Sequence, residues 1–79
     1  MTSLEIEPQI QDIVQKITFR HVDRAQALLS TQLLDSIGVV DLIVQLEEKF
    51  GVGFDLQQVN EERFNTVEQI AREVAERLK

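Results

Sequence analysis

The chain has 79 residues, with 14 acidic and 8 basic side chains, a formal net charge of −6 and no cysteine. This length predicts a single domain over residues 1–79, with too small a core to form a deep enzyme cleft easily. The acidic balance argues against nucleic-acid binding, which needs clustered lysine and arginine. The missing cysteine excludes disulfides, thiolate metal sites and cysteine nucleophiles.

The chain also lacks the sequence signs of export or membrane insertion. Its first residues do not combine a basic region with an apolar run, and no stretch approaches the roughly 18 apolar residues of a membrane-spanning helix. We therefore expect a cytoplasmic protein without a membrane span. The small size and acidic charge of the chain also indicate a monomer.

A first amphipathic helix is predicted near the N-terminus, because apolar residues recur there at helical spacing. Its apolar stripe consists of Ile6, Ile10, Ile13, Val14 and Ile17. We expect this helix to begin between Glu5 and Pro8, since proline is tolerated in the opening turn of a helix.

The helical spacing is lost between Phe19 and Asp35, which indicates a long loop. Apolar anchors are expected at Leu28, Leu33 and Leu34. His21 is the only histidine, and without a second ligand or a nucleophile nearby it predicts neither a metal site nor a catalytic base.

A second helix is predicted from Ile37 to Phe50, and it has more apolar surface than one core stripe requires. The residues of its core face are Val39, Leu42, Ile43, Leu46 and Phe50. A second patch, formed by Ile37, Val40 and Val44, lies on another side. Carboxylates flank that patch, namely Asp41, Glu47 and Glu48. Either the helix is buried on two sides, or this patch docks partner proteins.

Two further helices are predicted after Gly51, which suits the left-handed position that ends a helix. Asn60 is expected to cap a short helix that ends near Phe64. Thr66 and Gln69 form a capping box that opens the last helix. The core stripe of that helix is Val67, Ile70, Ala71, Val74 and Leu78.

These elements predict an all-α, up-and-down bundle of four helices, three longer and one short, with a long loop between the first two. The predicted core consists of Ile10, Ile13, Val14, Ile17, Leu42, Leu46, Phe50, Phe54, Phe64, Ile70, Val74 and Leu78. No cluster of metal-ligating residues is predicted, because the adjacent Glu61 and Glu62 point about 100° apart on a helix.

Ser36 lies where the second helix begins, and this position suits either helix capping or a phosphate. Asp35 is itself a good N-cap, which frees the Ser36 hydroxyl. Catalysis by Ser36 would need a base in reach and a third orienting group, and the sequence offers no such pair. We therefore expect no enzyme activity, and capping or covalent modification stays open for Ser36.

The residues around Ser36 and along the second helix resemble acyl carrier proteins, and the likeness covers nearly the whole chain. The resemblance rests on Asp35, Ser36, Ile37, Val40, Asp41, Leu42, Leu46, Glu47, Glu48, Phe50 and Gly51, with Ile37 in place of the leucine usual in the family. The resemblance implies that a phosphopantetheinyl transferase attaches 4′-phosphopantetheine from coenzyme A covalently to Ser36. The terminal thiol of this group then carries cargo as a thioester.

The resemblance also implies a docking surface for loading and processing enzymes that present basic and apolar patches. The residues of this surface are Asp35, Ile37, Val40, Asp41, Val44, Glu47 and Glu48. Such a surface suits a carrier that visits several enzymes, because complementary charge speeds encounter more than it tightens binding.

The expected function is a discrete acyl carrier protein for fatty-acid, polyketide, non-ribosomal peptide or related biosynthesis. Gly38 replaces an acid typical of fatty-acid carriers, and segment 59–66 is longer than theirs. Both features are similar to D-alanyl and other aminoacyl carriers, which work with an adenylating ligase, although Val67 replaces the proline usual in D-alanyl carriers. The alternative from another class is a small helical interaction module without a prosthetic group, in which Ser36 only caps the helix.

Overall fold

The computed structural model describes residues 2–78, and every regular element in that range is helical. The elements are α1 (Ser3–Thr18), α2 (Ser36–Phe50), a 3-10 helix (Leu56–Gln58), α3 (Glu61–Phe64) and α4 (Val67–Arg77). The predicted all-α bundle of three longer helices and one short helix is therefore confirmed. None of the helices within residues 2–78 has the length and apolar character needed to cross a bilayer.

Helix α1 begins earlier than the sequence predicted. It starts at Ser3 rather than between Glu5 and Pro8, which places Pro8 at its sixth position. The Thr2 hydroxyl caps this earlier start by accepting a hydrogen bond from the Glu5 N–H at 3.3 Å. Pro8 has no N–H to donate to the Leu4 carbonyl, so the helix omits one bond and continues.

The core forms around α1, which packs against both α2 and α4, while α3 packs on α4. Fifteen apolar side chains are buried in one cluster. They are Ile6, Ile10, Ile13, Val14, Val22, Leu28, Leu34, Leu42, Ile43, Leu46, Phe64, Val67, Ile70, Ala71 and Val74. Eight of the twelve predicted core residues belong to this cluster. Burial of such side chains is the main favourable term in folding.

Four predicted core positions differ from the structure. Leu78 is 38% exposed and lies at the C-cap of α4. The prediction was wrong there because the helix ends before its stripe completes another turn. Ile17, Phe50 and Phe54 are only half-buried and pack against the edge of the core. They lie at or beyond helix ends, where fewer neighbouring elements cover them.

Val22 is a core residue that helical spacing did not indicate. It lies in the loop between α1 and α2 and is fully buried. Two glutamines on α1 hold its backbone: the Gln15 Oε1 accepts from the Val22 N–H at 3.0 Å, and the Gln11 amide donates to the Val22 carbonyl. Burial of this loop residue therefore leaves no unpaired backbone group.

A single asparagine fixes the loop just before α2. The Asn65 Oδ1 accepts hydrogen bonds from the N–H groups of Leu28, Leu29 and Ser30, at 3.2, 2.9 and 3.0 Å. The Asn65 carbonyl also accepts from the Leu28 N–H at 2.7 Å. Gln69 steadies this residue, because its Oε1 accepts from the Asn65 N–H at 2.9 Å. The loop is thereby tied to the start of α4.

An ion cluster ties the same loop to two helices. The Arg24 guanidinium donates to both carboxylate oxygens of Glu7 on α1, at 2.7 and 2.9 Å, and its Nε lies 3.5 Å from the Glu68 carboxylate on α4. The hydrogen bond to Glu7, followed by the charge of Glu68, raises the pKa of the Arg24 guanidinium above its usual value. Glu7 is itself buried, so this pairing satisfies its charge.

We predict that Asn65→Ala lowers the free energy of unfolding by about 2 kcal/mol, because the N–H groups of Leu29 and Ser30 lose their acceptor. The Leu28 N–H keeps its bond to the backbone carbonyl of residue 65. Urea unfolding followed by circular dichroism measures this loss. Gln58→Ala, an exposed position, is the control and should change the free energy by less than about 0.5 kcal/mol. Equal effects of the two substitutions would contradict the anchoring role of Asn65.

Candidate functional site

Ser36 is the first residue of α2, and it is exposed. The preceding residue, Asp35, has extended backbone angles (φ −83°, ψ −176°), and its Oδ1 accepts from the Gly38 N–H at 2.8 Å. Asp35 is therefore the N-cap, as predicted from the sequence. The Ser36 hydroxyl is left without a hydrogen-bond partner among residues 2–78 and is free for chemistry.

Gly38 has a packing role that the sequence did not reveal. It is buried in the first turn of α2. A Cβ at this position would lie 3.3 Å from the Asp35 Oδ1, 3.3 Å from the Leu34 Cδ2 and 3.6 Å from the Ile17 Cγ2. Glycine therefore lets the capping carboxylate, the end of the loop and the C-terminal part of α1 meet closely beside Ser36.

The second apolar patch of α2 is on the surface. Ile37, Val40 and Val44, which we call the apolar stripe, are 78%, 47% and 45% exposed. The interpretation that α2 is buried on two sides is therefore wrong. Its buried large side chains, Leu42, Ile43 and Leu46, all lie on the core face. An exposed apolar row on a helix is the kind of surface that binds partners.

The three acidic residues beside the apolar stripe differ in their exposure and in the hydrogen bonds that their carboxylates accept. Asp41 and Glu48 are exposed, and Asp41 accepts one hydrogen bond, from the Gln45 amide at 3.1 Å. Glu47 is half-buried, and its Oε2 accepts from the Phe54 N–H at 3.0 Å. Glu47 therefore also holds the chain after α2 in place.

A groove of about 690 Å³ opens beside Ser36, between the start of α2 and the segment from the 3-10 helix to α3. We call it the Ser36 groove. Six of its lining residues are apolar: Leu29, Leu34, Val39, Val40, Leu56 and Val59. The others are polar or acidic: Gln32, Asp35, Ser36, Asn60 and Glu61. Its volume is within the range of small-molecule sites.

His21 does not line the Ser36 groove. His21 Nε2 lies 3.2 Å from the Asp23 Oδ1, and both side chains are exposed. Within the described range no set of three or more histidine, cysteine or acidic side chains is arranged to hold a metal ion. What the site does present is a free hydroxyl, a helix N-terminus, an exposed apolar stripe and a groove.

Comparison with known proteins gives a consistent match. A family model described as "Phosphopantetheine attachment site" matches residues 8–74, a range that contains Ser36 and all of α2. The D-alanyl carrier protein of Streptococcus suis is 31% identical over 75 residues, covering 92% of this chain and 95% of the relative. Those of Streptococcus uberis and Streptococcus sanguinis are 31% and 27% identical, with the same coverage.

We predict that Asp35→Ala lowers the free energy of unfolding by about 1 kcal/mol, because the Gly38 N–H loses its cap. Ser36→Ala is the matched control in the same turn. It should change the free energy by less than about 0.5 kcal/mol, because the Ser36 hydroxyl holds nothing in place. Urea unfolding measures both values, and a larger effect of Ser36→Ala would mean that Ser36 is the structural cap.

Proposed function

Because this chain belongs to the phosphopantetheine attachment site family, we propose that Ser36 is the residue that carries its covalently attached 4′-phosphopantetheine. The observation that carries the proposal is the free, exposed hydroxyl at the first position of α2. The cap at Asp35 supports it, since a serine that capped the helix would have its oxygen occupied.

The start of α2 suits the phosphodiester that such an attachment creates. The first intrahelical bond runs from the Val39 N–H to the Asp35 carbonyl, and the Gly38 N–H is taken by the Asp35 side chain. The N–H groups of Ser36 and Ile37 come before these bonds and have no intrahelical acceptor. Both these groups and the positive end of the helix dipole favour a negative phosphate at this position.

In the attachment step, the Ser36 Oγ forms a bond to the phosphorus that carries pantetheine in coenzyme A. The bond from that phosphorus to the rest of the pyrophosphate breaks, adenosine 3′,5′-bisphosphate leaves, and the hydroxyl proton passes to the transferase. The attached group supplies a terminal thiol that can hold an acyl group as a thioester. The chain thus acts as a carrier, and we propose that its partners perform the chemistry, in the cytoplasm.

We propose that the apolar stripe and its acidic neighbours dock these partners. The exposure of Ile37, Val40 and Val44 supports this role, because the fold leaves them uncovered. Asp35, Asp41, Glu47 and Glu48 add negative charge along the same helix. The fitting partners, a phosphopantetheinyl transferase and the loading and processing enzymes, would present a basic patch with an apolar centre.

For the cargo we propose an aminoacyl group, loaded by an adenylating ligase. The relatives named D-alanyl carrier proteins, which this chain matches over 92% of its length, support this choice. D-alanine is therefore the first substrate to test. Fatty-acyl or polyketide cargo is the alternative. The family match argues against the other predicted alternative, an interaction module without a prosthetic group.

We predict that coenzyme A and a phosphopantetheinyl transferase raise the mass of the protein by about 340 Da, the mass of the added group. A D-alanine-adenylating ligase with ATP should then add the mass of one alanyl residue. Intact-protein mass spectrometry measures both steps.

Ser36→Ala should gain no mass in either step, whereas Ser30→Ala, which alters another exposed serine, should react like the unchanged protein. Failure of the first step with several active transferases would favour the interaction module. Success of the first step with fatty-acyl but not alanyl loading would replace the proposed cargo and leave the carrier function intact.

We predict that replacing Asp41 and Glu48 by lysine together slows modification by the transferase about three- to tenfold at low salt, because the basic partner loses its electrostatic attraction. The difference should shrink toward 1 M salt, where the Debye length is about 3 Å. Asp23→Lys with Glu76→Lys, exposed changes in the loop after α1 and on α4, alters the net charge by the same amount and is the control. An equal loss of modification rate in that variant would mean that the net charge, and not the α2 surface, causes the effect.

A further inference from the structure

The Ser36 groove has one sign of charge. Its ionisable lining residues are Asp35 and Glu61, and none of the lining residues is lysine, arginine or histidine. The groove therefore attracts a positively charged group and repels a carboxylate.

We propose that the Ser36 groove binds the cargo end of the prosthetic group and that the Glu61 carboxylate pairs with the ammonium group of an aminoacyl cargo. This inference rests on the proposed attachment at Ser36 and goes beyond it, because it assigns the chain itself a part in selecting its cargo.

The position of the groove indicates that the group attached to Ser36 occupies it. Ser36 is one of its lining residues, so a group attached to the Ser36 Oγ begins at the groove itself. A flexible attached chain needs no separate encounter to enter, because its tether keeps its local concentration high. The volume of about 690 Å³ is within the range that holds small organic ligands.

The lining also matches the chemistry of pantetheine, which has two amides and a dimethyl group. Six apolar residues can cover the methyl groups. Asn60 uses its Oδ1 to cap α3, accepting from the N–H groups of Glu62 and Arg63 at 3.0 and 3.1 Å, so its amide NH2 remains to donate. Gln32, which has a positive φ of 60°, adds a second amide at the edge.

Of the two carboxylates, Glu61 is the one without a structural role. Asp35 is engaged through its Oδ1 with the Gly38 N–H. The Glu61 side chain is exposed and has no hydrogen bond or ion pair with residues 2–78. Its neighbour Glu62 is also exposed but does not line the groove. Glu62 is therefore a matched control, because it has the same charge and lies on the same helix but outside the groove.

Transfer of preformed acyl-coenzyme A by the transferase tests the proposal without a loading enzyme. The unchanged protein, Glu61→Gln and Glu62→Gln would each receive alanyl, propionyl or malonyl cargo, and mass spectrometry would confirm attachment first. Propionyl lacks the amine of alanyl, and malonyl adds a carboxylate. Amide chemical shifts of Val40, Leu56 and Val59 report groove occupancy, and thioester hydrolysis at fixed pH reports shielding.

We expect alanyl cargo to shift the groove amides most and malonyl cargo least. Glu61→Gln should lower alanyl occupancy about two- to fivefold, the size of a partly exposed ion pair, and shorten the thioester lifetime in proportion. It should leave propionyl occupancy unchanged, and Glu62→Gln should change neither cargo.

Each other outcome identifies what fails. If alanyl cargo is attached but shifts no groove amide, the groove is not its binding site, and the carrier function stands. If Glu61→Gln behaves like Glu62→Gln, or affects propionyl equally, Glu61 does not recognise the ammonium group. If no acyl-pantetheine attaches to Ser36 at all, the proposed function fails, and this inference fails with it.

Discussion

The hydrogen bond from the Gly38 N–H to the Asp35 carboxylate, 2.8 Å long, is the interaction on which the site depends. It satisfies one of the orphan donors of the first turn and defines where α2 begins. Because Asp35 performs this task, the next residue has a free hydroxyl at the positive end of the helix. A Cβ at position 38 would lie 3.3 Å from the same carboxylate. The close approach of the Asp35 cap therefore depends on glycine at this position.

The long loop between α1 and α2, which contains no helix, positions Asp35 at the start of α2. The loop is held at three points: Val22 by two glutamines of α1, Arg24 by carboxylates of α1 and α4, and residues 28–30 by Asn65. Each point uses hydrogen bonds to satisfy backbone or charged groups that folding partly buries. The long loop is thus an ordered part of the site, since it delivers Asp35 to α2.

Helix α2 has one apolar face that is buried and another that is exposed. Leu42 and Leu46 face the core, whereas the apolar stripe stays uncovered with carboxylates beside it. Leaving this stripe exposed gives up some hydrophobic stabilisation, which is a common feature of surfaces used for binding. The stripe and the Ser36 groove share Val40, and Ser36 lines the groove, so the two surfaces adjoin at the start of α2.

The sequence alone determined most features that depend on neighbours within one helical turn, with the Thr2 cap of α1 as the exception. The caps at Asp35, Asn60 and Thr66 were predicted correctly because side chain and N–H are three residues apart or fewer. The core faces followed from a spacing of 3.6 residues, and the family followed from short motifs at the start of α2.

Only the tertiary structure decided which apolar surface is covered and which loop residues are held. Periodicity describes faces of one helix but not the elements that pack on them, so the exposure of Ile37 and the burial of Val22 could not be read from spacing. The bonds from Asn65 to residues 28–30 span 35 to 37 positions. The groove likewise combines side chains from the loop, α2 and α3, which are brought together only when the chain folds.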